Sequence, residues 1–134
     1  MTAIDRTTEA GIVTKVSPRP ADDTVARLTG LIEDRGMKVF AVIDQAGEAR
    51  DVGLRLRPTT LVVFGSPAAG TAVMDAAPLA ALDLPLKVLV WADGEQTKIS
   101  YLSPAALSAR YDLDPDLAHN LAGIDPLTDA LVAD

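Results

Sequence analysis

Arg57-Pro58-Thr59-Thr60-Leu61-Val62-Val63-Phe64-Gly65-Ser66-Pro67-Ala68-Ala69-Gly70-Thr71 opens the stretch, Arg57 to Asp93, whose reading decides the fold. Thr59 to Gly65 is a β-branched and apolar run, and it predicts a strand. Ser66-Pro67 is a helix start: a hydroxyl able to cap free N–H groups, then a proline whose missing donor costs nothing at the first helical position. That helix is predicted to run to about Ala77, where Pro78 stops it. Leu86-Lys87-Val88-Leu89-Val90-Trp91 then predicts another strand. Strand, capped helix and strand make the centre of a small core. The stretch contains no recognisable catalytic set, so it specifies architecture and leaves any reaction open.

Outward toward the amino terminus, Met37 to Asp44 reads as a strand. Thr24 to Arg35 places Val25, Leu28, Leu31 and Ile32 three and four apart, which is one face of a helix that Gly36 ends. Arg19 to Asp23 reads as a turn. Gly11 to Ser17 alternates Ile12, Thr14 and Val16 against Val13 and Lys15, the pattern of a first strand. Residues 1–10 are polar and aperiodic and are expected to form a flexible arm. Ala46, Ala49 and Val52 suggest a short helix closed by Gly53.

Toward the carboxyl terminus, Ala92-Asp93-Gly94-Glu95 turns the chain so that Gln96 to Leu102 returns as a hairpin partner. The helix-start device recurs at Ser103-Pro104, Asp114-Pro115 and Asp125-Pro126, predicting three short helices that are amphipathic through leucine. The order implies an α+β fold, a two-layer sandwich in which a mixed or antiparallel sheet carries helices packed on one face. A doubly wound parallel sheet would want more alternation and a Gly-rich first turn. Residues 11–134 are expected to be a single domain.

Composition bounds the function. The 134 residues are 49% hydrophobic but only 4% aromatic, with 22 alanines, so the core must be aliphatic and closely packed. A net charge of −7 argues against nucleic-acid binding and against docking on an anionic membrane surface. The absence of cysteine removes disulfides, thiolate metal sites and thiol nucleophiles together. No signal-peptide core and no apolar run near the length of a membrane span are apparent, so cytoplasmic residence is the expectation.

The central motif, followed by Met74-Asp75-Ala76-Ala77-Pro78 and Leu82-Asp83-Leu84-Pro85-Leu86-Lys87, resembles the family called domain of unknown function 302. Gly11-Ile12-Val13, Val39 to Asp44, Val52-Gly53-Leu54, Ser100-Tyr101 and Pro104 to Leu107 fit its layout, so the resemblance covers roughly residues 11–113. It implies a compact α+β domain that forms a homodimer and has no established activity. Many relatives carry histidine where this chain has Gln45, and a His-Gly pair where it has Tyr111-Asp112. Any metal or acid–base role of those histidines does not transfer.

Candidate sites each have a plainer reading. The amides of Ala68, Ala69 and Gly70, with the Ser66 and Thr71 hydroxyls, could hold a small anionic ligand at a helix amino terminus. The plainer reading is a helix sealed by its own serine. Arg55 and Arg57 share a strand face, near Arg50, and could grip a carboxylate or phosphate. As an alternative they are solvated cations pairing with nearby acids. His119, the sole histidine, has no partner spacing for a metal. Gly65-Ser66-Pro67 is not a nucleophile elbow. Asp44, Glu48 and Asp51 crowd one loop, Asp75 and Asp83 flank the helix exit, and both groups read as charged loop faces. Trp91 and Tyr101 could face each other across the hairpin.

No catalytic residue, cofactor or metal is expected. The leading reading is a non-enzymatic dimer that binds a ligand or partner through its sheet face and the Ser66 helix start, with Ser66, Ala68, Ala69, Gly70, Thr71, Arg55 and Arg57 as the candidate ligand-binding residues. The alternative is an enzyme on a small anionic or acyl substrate that uses the same groups.

Overall fold

Strand runs rich in Val and Ile, separated by capped helix starts, set the frame. The computed structural model describes residues 6–8 and 10–134. Its strands are β1 (Arg6–Thr7), β2 (Ile12–Ser17), β3 (Lys38–Asp44), β4 (Thr59–Gly65), β5 (Leu86–Asp93) and β6 (Gln96–Leu102). Its helices are α1 (Ala21–Asp34), α2 (Gln45–Asp51), α3 (Pro67–Ala76), α4 (Pro104–Tyr111), α5 (Pro115–His119) and α6 (Ile124–Val132), with a 3-10 turn at Pro78–Leu82. The strands make one six-stranded sheet in the order β1-β2-β6-β5-β4-β3. Every neighbouring pair is antiparallel, which settles the class as α+β and excludes the doubly wound alternative.

The register explains the layering. Val13, Val62, Phe64, Val88, Val90, Ile99 and Tyr101 point to one face and are buried there. α1 crosses β3, β4, β5 and β6 on that face, and α6 lies beside α1 against β2. Leu28 and Ile32 of α1 and Leu127 and Leu131 of α6 are fully buried, so two helix faces close over an aliphatic sheet. The reverse face aligns Ile43 with Leu61, Leu61 with Leu89, and Thr59 with Trp91.

Caps and turns follow the local chemistry. Ser66, Ser103 and Asp114 each accept a hydrogen bond from the backbone N–H three residues on, with proline at the next position. The β5–β6 turn needs Gly94, whose φ is 61°, at its first central position. Gly11 is required by close approach: a Cβ there would overlap the Cβ of Ala106, and the carbonyl of Gly11 accepts from the Ser103 N–H at 2.8 Å.

Several expectations change. Within the supposed arm, Arg6 and Thr7 pair with Thr14 and Val13, extending the sheet; residues 1–5 and 9 lie outside the described residues. α1 begins at Ala21, inside the expected turn, because Asp22 and Asp23 suit a first helical turn. α6 begins at Ile124 rather than after Asp125, with Gly123 at its N-cap. Asp125 therefore does not cap; it accepts the Tyr101 hydroxyl at 2.6 Å. Trp91 and Tyr101 do not meet. Trp91 aligns with Lys98 on the reverse face, and Tyr101, three residues further on, must point the other way.

Candidate functional site

Ser66 ends up at the mouth of a cavity. β4 delivers it to the sheet's end, and its side chain caps α3 by accepting from Ala69 N–H at 3.3 Å. A space of about 270 Å³ opens beside this cap. Its walls come from segments far apart in sequence: Phe40 of β3, Met74 of α3, Leu84 before β5, and Asn120 and Leu121 after α5.

Of the expected ligand-binding residues, Ser66, Ala69, Gly70 and Thr71 line this cavity, while Ala68 is exposed and does not. Gly70 N–H already donates to the Ser66 carbonyl at 2.8 Å, and the Thr71 hydroxyl donates to the Pro67 carbonyl at 2.6 Å. Those groups serve the helix itself. Arg55 and Arg57 are not brought in: both are exposed on the segment that precedes β4. A seven-residue strand separates them from Ser66 by about 20 Å. Arg57 instead lies close enough to Asp93 to help hold that carboxyl below its usual range, after the larger effect of the Lys98 ammonium. The convergence of arginines with Ser66 is thus corrected. Among the described residues no charged side chain lines the cavity.

Gly70 stands out within α3. A Cβ added there would meet only the Met74 methyl, at 3.8 Å, so nothing in the packing demands glycine. In a helix interior glycine is about 0.8–1.0 kcal/mol less favourable than alanine.

A second hollow, of about 350 Å³, runs along the reverse face of the sheet. Leu61, Leu89 and Leu102 floor it, and Lys87, Asp83 and Arg110 rim it. Asp83 accepts from the Tyr111 hydroxyl and from Arg110 Nη1, the latter at 2.9 Å. The Tyr111 hydrogen bond, ahead of Arg110, holds the Asp83 carboxyl below its ordinary range. A lowered folded pKa stabilises the fold above the ordinary value of 3.8 and loses that contribution as pH falls through the lower folded value. Asp83→Asn should therefore flatten the acid limb of a melting-temperature series below about pH 4. An unchanged limb would show that the network adds nothing.

Sequence reading missed Lys15. It is 3% exposed on the helix-covered face, donating to Thr128 Oγ1 and Asp129 Oδ1, each at 2.8 Å. Tyr101 completes the cluster, with Lys15 Nζ 5.4 Å from its ring centre. The available signal was the spacing of Asp125, Thr128 and Asp129, which share one face of α6. His119 is exposed at the end of α5, and Asp44 caps α2 by accepting from Gly47 N–H. Among the described residues no three metal-ligating side chains are grouped to hold an ion.

Comparison with known proteins follows the same lines. Residues 13–131 match the profile of the family described as Domain of unknown function DUF302. The fold is similar to a crystal structure of an uncharacterized conserved DUF302 protein from Bacillus stearothermophilus, with a TM-score of 0.77 at 22% identity. That similarity covers 91% of this chain and 95% of the other, and it bears on fold alone. Among curated proteins, the chain is 35% identical over 106 residues to the Fluoride-specific ion channel FluC 1 of Brucella suis biovar 1 (strain 1330). It is equally similar to the FluC 1 protein of Brucella abortus biovar 1 (strain 9-941). These matches take in 78% of this chain but only 42% and 39% of the two relatives. The chain thus spans about two-fifths of their length. Among its described residues no helix is long and apolar enough to cross a membrane.

Proposed function

The chain belongs to the DUF302 family, and on that premise we propose that it is a cytoplasmic, non-enzymatic binding module that works as a homodimer. One observation carries the proposal. Of nine large hydrophobic side chains exposed among the described residues, six lie between Phe40 and Leu56. Val52 is 73% exposed, Leu54 64%, Val42 47%, Leu56 46%, Phe40 44% and Ile43 37%.

Among the described residues β3 is also the last strand of the sheet, paired only with β4. An apolar outer strand offers unpaired N–H and C=O groups to any extended chain, a hazard that proteins ordinarily cover or charge. A second copy is a ready cover, because an antiparallel strand pair about a two-fold axis is self-complementary. Leu54 and Leu56 would widen the contact beyond the strand. The longer relatives motivate a second reading, in which another polypeptide segment occupies this surface. The enzyme alternative needed Arg55 and Arg57 at Ser66, and it loses its basis with their separation.

Light scattering tests the reading. The wild-type protein should run at twice its 14.0 kDa chain mass. Val42→Lys with Leu54→Glu should weaken self-association at least about thirtyfold, the loss of one interface hot spot. A wild-type monomer at high concentration would overturn the homodimer. A dimer indifferent to both substitutions would move the interface elsewhere.

A further inference from the structure

We propose that the Ser66 cavity binds a small uncharged molecule, mostly apolar, with a single hydroxyl, carbonyl or amide group. The inference extends the binding-module reading and shares only Phe40 with its dimer surface, since Val42, Ile43, Val52, Leu54 and Leu56 do not line the cavity.

Volume sets the size. An apolar cavity of about 150 Å³ accepts benzene, so about 270 Å³ suits roughly eleven non-hydrogen atoms. Lining chemistry sets the class. Phe40, Met74, Leu84 and Leu121 offer apolar walls, and a ligand charge would find no counter-charge among the described lining residues. Polar recognition is confined to one corner. The Asn120 amide makes only a long contact, 3.5 Å to the Ala69 carbonyl, and Ser66 Oγ receives only the 3.3 Å bond from Ala69. Both groups have hydrogen-bonding capacity left over for a guest.

Gly70 supplies an independent argument. Its substitution by a better helix former is sterically open, yet a Cβ there would lie 3.8 Å from the Met74 methyl, on the wall of the cavity that both residues line, so a longer side chain takes up space there. Glycine keeps the space empty at a position where the helix alone would favour a side chain. The flexible Met74 thioether lets that wall adapt to a guest.

1-Naphthol, neutral at pH 7 and of matching size, is the probe. Amide chemical shifts of labelled protein should move saturably at Gly65, Ser66, Gly70 and Leu121. 1-Naphthalenesulfonate, the charged counterpart, should bind at least about tenfold more weakly. Gly70→Leu should lose naphthol binding at least about tenfold while raising the melting temperature, whereas Ala68→Leu, outside the cavity, should leave binding unchanged. If Gly70→Leu fails to fold, Gly70→Ala, whose Cβ has room, should still weaken binding about threefold. Repeating the titration on the Val42→Lys, Leu54→Glu protein separates the two proposals, since binding should survive there. Absence of saturable shifts, tighter binding of the sulfonate, or shifts confined to the reverse face around Leu89 would each overturn the assignment.

Discussion

Truncating Phe64 to alanine should destabilise the protein by about 3–5 kcal/mol, the range for emptying a buried aromatic site. Phe64 is fully buried in β4, aligned with Val39 on one side and Leu86 on the other. The core around it is built from aliphatic side chains in strands and helices, with only two phenylalanines in the chain. Close-packed surroundings of that kind collapse only partly around a lost ring, so a cavity cost adds to the lost transfer free energy. A single domain has about 5–15 kcal/mol in hand, so the change removes a large fraction of the total. Urea unfolding should show a lower midpoint at unchanged slope. Phe40→Ala, measured in the Val42→Lys, Leu54→Glu background that keeps the protein monomeric, is the matched control: Phe40 is 44% exposed in the single chain and its removal should cost about 1 kcal/mol or less. Equal losses for the two variants would mean that the core has been assigned to the wrong face of the sheet.

The contrast between the two phenylalanines also marks how far the sequence could be read. Thr59 to Gly65 and Ser66-Pro67 were legible because each signal is local: β-branched residues favour extended backbone, and a hydroxyl before proline starts a helix whatever surrounds it. Ser103-Pro104 and Asp114-Pro115 were legible for the same reason. Asp125-Pro126 misled because the turn through Leu121 to Gly123 runs directly into α6, so the helix is already under way at Ile124. Alternation in Ile12 to Ser17 gave two faces but not which one is covered. The inward face proves to be Val13, Lys15 and Ser17, since α6 brings Thr128 and Asp129 over it. At the candidate site the cap could be read and the cavity could not. Its walls, Phe40, Leu84 and Leu121, come from three separate segments that only the antiparallel sheet brings together.

Lys15 is the second position where a large effect is expected, and its two parts should separate by substitution. The side chain is buried along its stem, while Asp129, its acidic partner, remains 64% exposed. Lys15→Ala should cost about 3 kcal/mol: three buried methylenes at about 0.8 kcal/mol each, plus the lost hydrogen bonds to Thr128 and Asp129. Lys15→Met keeps most of the stem. It orphans little, because Thr128 still donates to the Ile124 carbonyl and Asp129 is hydrated. Its cost should be about 1 kcal/mol or less. The charge shows itself in pH dependence. Burial is the largest single influence on Lys15 and pulls its pKa down, but the bonds and charges of Asp129 and Tyr101 outweigh it and leave the net shift upward. Tyr101 is also raised, by burial first and then by its bond to Asp125. A raised folded pKa means that the folded protein holds its proton more tightly. The Lys15 contribution is therefore complete below 10.5 and disappears as pH climbs through the higher folded value, with that of Tyr101 fading likewise above 10.0. Unfolding midpoints should fall on the alkaline side in wild type and fall less in Lys15→Met, with Tyr101 supplying the remainder. If methionine proves as damaging as alanine at neutral pH, the ammonium rather than its stem holds α6 on the sheet.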